Sequence, residues 1–135
     1  MSKTHTYQTF MRTASYIFAV GISIFFLFAV ITYSWMGFEV KSNCQTAKRA
    51  YGGDCVGALS KLLADENRSY RERNSATWAL GQIADKRALP TLERLYTGKI
   101  PDREPLDKTL SQYELRKAVK WCKEGNGTSW IYKNY

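Results

Sequence analysis

The chain has 135 residues, with 20 Lys and Arg against 12 Asp and Glu, a formal charge of +8 at pH 7 and 44% hydrophobic residues; its mean hydropathy is -0.40. That length holds one globular domain at most. The averages join two unlike pieces, because residues 13–38 carry no charged side chain while residues 39–135 hold all 12 acids and 18 of the 20 bases, which excludes an ordinary soluble protein.

Residues 1–12 form an acid-free tail with Lys3, His5 and Arg12. From Tyr16 to Trp35 runs a stretch of 20 mainly aliphatic and aromatic residues, which as a helix rising about 1.5 Å per residue covers roughly 30 Å, the thickness of a bilayer core. Tyr16 stands at one edge and Tyr33 and Trp35 at the other, where amphipathic rings meet lipid headgroups. Residues 13–38 are therefore assigned as a transmembrane helix. A cleaved signal would carry a shorter apolar run of about 7–15 residues ending in a small-x-small site, and Ile31 to Met36 offers no such triplet. A buried core helix would need a larger surrounding domain than residues 39–135 supply. The flanking bases nearly tie, Lys3 and Arg12 against Lys41, Lys48 and Arg49 with Glu39. The acid-free tail tilts the balance to the N-terminus inside, which leaves the polar domain extracytoplasmic.

Residues 39–54 read as a connector with a short helix, Ser42 to Tyr51, that places Cys44, Ala47 and Tyr51 on one side and ends at Gly52-Gly53. Cys44 and Cys55 bracket that break, so a disulfide between them is sterically open in an oxidising compartment. The plain alternative makes Cys44, Cys55 and Cys122 small buried apolar residues. There is no CxxC pair, and the single histidine, His5, lies beyond the span from every thiol. That removes zinc-ligand spacing and a Cys/His nucleophile, so no metal, no cofactor and no catalytic residue are expected.

Within residues 55–124 the sequence repeats itself. Val56, Leu59, Leu62 and Leu63 recur 33 positions on as Leu89, Leu92, Leu95 and Tyr96, each set tracing one face of an amphipathic helix. Asp54 and Asp85 precede these helices as caps, and Pro90 falls in a first turn, where its missing N–H costs little. Tyr70, Arg73, Ala76, Trp78 and Ala79 match Tyr113, Arg116, Val119, Trp121 and Cys122 at a spacing of 43, three of them identical. Ten extra residues, Thr97 to Leu106 with Gly98, Pro101 and Pro105, account for the longer spacing. The fold class that follows is all-α: one transmembrane helix and then a short α-solenoid of about two helix pairs.

Leu62-Leu63-Ala64-Asp65, Arg73, Ala76, Ala79 to Asp85 and Ala88-Leu89-Pro90 together resemble HEAT-like repeats of the short type named after phycobilisome lyases. The resemblance is densest from Cys55 to Tyr96. It departs at Glu72, where the pattern prefers an apolar residue, and at the ten-residue insertion. It implies a binding and scaffolding fold and no lyase activity, and by analogy with the family it makes Asp85 the acceptor for Arg73.

Four groups of residues remain to be placed. Arg73 and Arg116, at matching positions, either satisfy carboxylates and helix ends of a neighbouring unit or contact a partner. Trp78 lies about 160–200° from Ala76 and Leu80 at 100° per residue, so it points off the core stripe, towards a partner, under the insertion or against the C-terminal tail. The tail, residues 125–135, breaks the last helix and presents Trp130, Ile131, Tyr132 and Tyr135, which either fold back, dock to a partner or lie at the lipid interface. The loop from Lys99 to Lys108 is charge-balanced and reads as solvated, with its length the one hint of a binding face, and two sequons begin at Asn67 and Asn126.

No GxGxxG, GxxxxGK[ST], GxSxG or HExxH occurs, so an enzyme is not expected. The leading expectation is a single-pass membrane protein whose HEAT-like repeat binds another, membrane-associated protein as a scaffold or as an accessory or assembly subunit, with residues 13–38 in the bilayer. The alternative is a tethered basic domain held on lipid headgroups or nucleic acid. Nucleic acid is the weaker target, because the bases spread over several helices rather than clustering on one face.

Overall fold

A computed structural model describes residues 2–132, with side-chain detail from Tyr7 onward; the start of the N-terminal tail, with Lys3 and His5, and the end of the C-terminal tail at 133–135 lie outside the described side chains. Five α-helices follow one another among the described residues, with no strand: α1 (Ser2–Tyr51), α2 (Cys55–Ala64), α3 (Tyr70–Ile83), α4 (Leu89–Leu95) and α5 (Gln112–Glu124), plus 3-10 turns at Lys86–Ala88 and Ser129–Tyr132. The chain divides into two compact units, Met1–Met36 and Gly37–Tyr135.

The first unit is the greater part of α1. Its apolar window has a mean hydropathy of 2.4 and none of it is buried, so the helix is long and apolar enough to cross a bilayer. Ile17, Phe18, Phe25, Phe26 and Phe28 all stand outward, a continuous apolar surface of the kind that marks a contact with membrane or protein. The hydroxyls of Ser15, Ser23 and Thr32 donate back to the carbonyls of Met11, Ala19 and Phe28 at 2.9 Å, so these polar groups are satisfied within the helix.

The second unit begins on the same helix. The expected separate connector helix within 39–54 is instead the C-terminal end of α1, because nothing between Met36 and Tyr51 breaks the helix. Val40, Cys44 and Ala47 are buried there. The break comes at Gly52 and Gly53, both left-handed at φ 67° and 78°, a consecutive pair of conformations that side chains other than glycine resist by about 1–2 kcal/mol each. Across this turn Cys44 and Cys55 form a disulfide, with Cα atoms 5.1 Å apart. Cys122 is a free thiol, buried against α3.

Helix α2 packs on α3, α3 on α5, and α4 on α5. Leu59, Leu63, Leu80, Leu92 and Leu115 are fully buried at these contacts, each contributing about 1.5–3 kcal/mol by leaving water. The 33-residue spacing holds at Leu59 and Leu92, which are both buried, while Leu89, Leu95 and Tyr96 are only partly buried and Tyr96 lies just past the end of α4. Asp54 does not cap α2 with its side chain; it accepts from Arg87 Nη1 at 2.9 Å, while Asp85 caps the following 3-10 turn and holds the other side of the same guanidinium. Arg87 therefore clips the start of α2 to the turn before α4.

The second spacing differs from the sequence expectation by one residue. Ser69 caps α3 by accepting from the Glu72 N–H, and Ser111 caps α5 by accepting from the Glu114 N–H, so the helices align at a spacing of 42. Arg73 then corresponds to buried Leu115 and Ala76 to Ala118, not to Arg116 and Val119. The Tyr–Arg pairs that suggested 43 are real but local: Arg73 lies over Tyr70 and Arg116 over Tyr113, each at 5.7 Å.

A polar cluster locks the end of α1 to the turn after α2. The Tyr51 hydroxyl donates to Asp65 Oδ2 at 2.5 Å and accepts from Arg68 Nε at 3.2 Å, and Arg68 reaches Glu72 at 3.3 Å. The Tyr51 hydrogen bond holds the Asp65 carboxyl below the usual range, and the Ser69 hydroxyl and N–H do the same for Glu72. Both carboxyls bind protons more readily unfolded than folded, so acid favours the unfolded chain. The expected result is a thermal midpoint that holds from neutral pH downward and falls once the pH drops below about 4.5, the ordinary Glu value. Asp65→Asn should flatten part of that fall. An acid limb of unchanged slope in the variant would show that this cluster contributes nothing to it.

Candidate interaction groove

Trp78 sits on α3 one turn beyond Asn74, half-buried against the core. Ala76, Ala79 and Leu80 face inward, so the indole is left at the edge of the packed stripe, where the insertion arrives from the far side. Together they bound an open groove of about 420 Å3, formed by Glu39 and Asn43 of α1, Arg71, Asn74, Ser75 and Trp78 of α3, Leu106 and Asp107 of the insertion, and Glu114 of α5. Trp78 is thus partly packed against the core and also lines the groove beside Leu106 and Asp107.

The insertion, read from sequence as a solvated loop, is fixed at several points. Asn74, only 9% exposed, donates through Nδ2 to the carbonyls of Leu106 and Thr109 at 2.9 Å and accepts from the Ser111 N–H at 2.8 Å. Every bonding capacity of that amide except one lone pair is used on the insertion. Glu104 then accepts from the Ser111 hydroxyl and the Gln112 N–H, both at 2.6 Å, satisfying N–H groups that the first turn of α5 cannot. The Gln112 side chain accepts from the Thr97 N–H at 2.8 Å. The groove wall carrying Leu106 and Asp107 is thus held in place before any ligand arrives.

The groove carries three carboxylates, from Glu39, Asp107 and Glu114, against one base, Arg71. Glu114 is paired with Lys117 at 3.5 Å. Among the described residues, the side-chain charges of Glu39, Asp107 and Arg71 have neither a hydrogen bond nor an ion pair.

The other residues singled out in the sequence are dispersed. Arg73 is buried, and its Nε donates to the Leu63 carbonyl at 2.9 Å; it joins α3 to α2 and does not reach Asp85, whose acceptor role belongs to Arg87. Tyr132 is buried at 2% exposure, since the 3-10 turn of the tail packs back on α3. Trp130 beside it is 70% exposed. Arg116 is exposed on α5, stacked on Tyr113 and outside the groove lining. Burial pushes the Cys122 thiol up to about 12, which leaves it without nucleophilic thiolate at neutral pH. Among the described residues no group of three His, Cys, Asp or Glu gathers as metal ligands.

Glu39, Asn74, Leu106 and Asp107 were not singled out in the sequence. They come from three segments, two of which the Asn74 side chain joins, and the local signal is that Asn74 and Trp78 share a helix face one turn apart.

Residues 72–97, which run from the first turn of α3 through α4, match the PBS lyase HEAT-like repeat family. No curated protein and no solved structure matches the chain.

Proposed function

We propose that the chain is a non-enzymatic, single-pass membrane protein whose HEAT-like repeat unit holds another protein of the same membrane, with the N-terminus inside and the repeat unit outside the cytoplasm. The groove beside Trp78 carries this reading: it is preformed, walled by an anchored insertion and floored by the residue type most enriched in binding hot spots. A helix pair of this kind stacks to make a surface rather than a reaction centre, and tethering through α1 restricts its partners to those within reach of the bilayer. The basic excess supports an electrostatic surface less well, because Arg87, Lys117, Lys120 and Lys123 are engaged in ion pairs and Arg73 is buried.

The test is photo-crosslinking in native membranes with a photoreactive residue replacing Ser75 in the groove, and a control replacing Glu93 on α4. A discrete adduct from position 75 that Trp78→Ala removes, and that position 93 does not give, is the expected result. Equal diffuse labelling from both positions would end the reading.

A further inference from the structure

We infer that the groove takes a positively charged, extended segment of the partner protein, with a Lys or Arg side chain laid over Trp78 and the Glu39 and Asp107 carboxylates as its counter-charges. This rests on the scaffold reading and names the chemistry it leaves open. The chain carries a formal charge of +8, yet its Trp78 groove holds three carboxylates and one arginine, against the sign of the whole molecule. The Glu39 and Asp107 carboxylates have no partner among the described residues, although 18 bases lie in the same part of the sequence. Covering these two carboxylates with an apolar or acidic segment would strip water from charges that gain nothing in return. A cationic side chain would instead pair with them, and Trp is the aromatic face that cations bind best. Leu106 gives the aliphatic stem of such a side chain an apolar wall, and Arg71 at the rim leaves room for one acidic residue in the same segment. At about 420 Å3 the groove falls within the usual range of about 300–1,000 Å3 for sites that enclose a small group, so the contact is a short segment and not a broad face.

The experiment uses the full chain in detergent micelles, with Trp35, Trp121 and Trp130 replaced by Phe so that Trp78 alone reports. Three amidated peptides of one sequence are titrated, with Arg, Ala or Glu at two positions beside a leucine. The Arg peptide should shift Trp78 emission saturably, and its affinity should fall with salt. Joint neutralisation by Glu39→Gln and Asp107→Asn should weaken it about tenfold, as expected for losing two rim ion pairs. Among the described residues these carboxylates make no hydrogen bond or ion pair, so the variant should keep the parent's thermal midpoint. The proposal is overturned if the Ala or Glu peptide binds as well as the Arg peptide, if the double variant binds unchanged, or if no peptide moves Trp78. The crosslink from position 75 separates the two readings. An adduct that survives the double neutralisation sinks the basic-segment proposal and leaves the scaffold standing, whereas absence of any groove-specific adduct sinks both.

Discussion

Gly81→Leu should lower the thermal midpoint of the repeat unit by about 15 °C. A Cβ built on Gly81 would meet the Cα and Cβ of Ala118 at 3.2 Å and the Trp121 ring at 3.4 Å. Helices α3 and α5 therefore touch backbone to backbone here, and the absent side chain is what permits it. Alanine would regain about 1 kcal/mol of helix propensity against a modest push, so its net effect is small. Leucine cannot be housed without driving α5 off α3, the principal helix contact of the second unit, and overpacking of this kind costs about 3 kcal/mol at the upper end of its usual range. For a unit of this size each kcal/mol moves the midpoint by roughly 4–8 °C. Because Trp121 lies against the site, its fluorescence reports the same event apart from the helical signal of α1. A midpoint within about 3 °C of the parent would show that α5 accommodates the side chain and that the close approach is not required.

Cys44→Ala with Cys55→Ala should cost about 2–3 kcal/mol, or roughly 10–20 °C, by releasing a loop whose ends are 11 residues apart. Both positions are nearly fully buried, at 3% and 2% exposure, and alanine keeps them apolar, so the loss measures the crosslink and little else. The pair also reports the compartment. Thiol trapping in denatured whole-cell extracts, before and after reduction, should find Cys44 and Cys55 available only after reduction, as the proposed extracytoplasmic placement favours. Two free thiols before reduction would overturn the proposed orientation. Native-state labelling would be a poor substitute, since all three cysteines are shielded.

Where helix periodicity and composition governed the outcome, the sequence was sufficient. The apolar run before Met36, the paired stripes of α2 and α4 and the insertion between α4 and α5 are properties of short stretches, visible because a helix returns the same face every 3.6 residues. The repeated Tyr–Arg pair stacks along each helix and does not set the register of α3 against α5, which follows the caps. Ser69-x-x-Glu72 and Ser111-x-x-Glu114 stood in the sequence as that signal.

The groove was not legible in the same way. Glu39, Asn74, Trp78 and Asp107 lie in three separate segments, and no local rule brings them together. Asp107 is brought beside α3 because the buried Asn74 amide bonds the backbone on both sides of it, at Leu106, Thr109 and Ser111, and because Glu104 holds the same loop against the first turn of α5. The sequence by itself determined a lipid-compatible helix, an all-helical repeat and its punctuation, since these follow from local hydrophobicity and backbone propensity. The tertiary structure alone decided that Arg73 and Tyr132 turn inward, that Arg87 clips α2 to the turn before α4, and that a charge-balanced loop becomes the wall of a groove, since each depends on which distant polar group is free to satisfy a buried one.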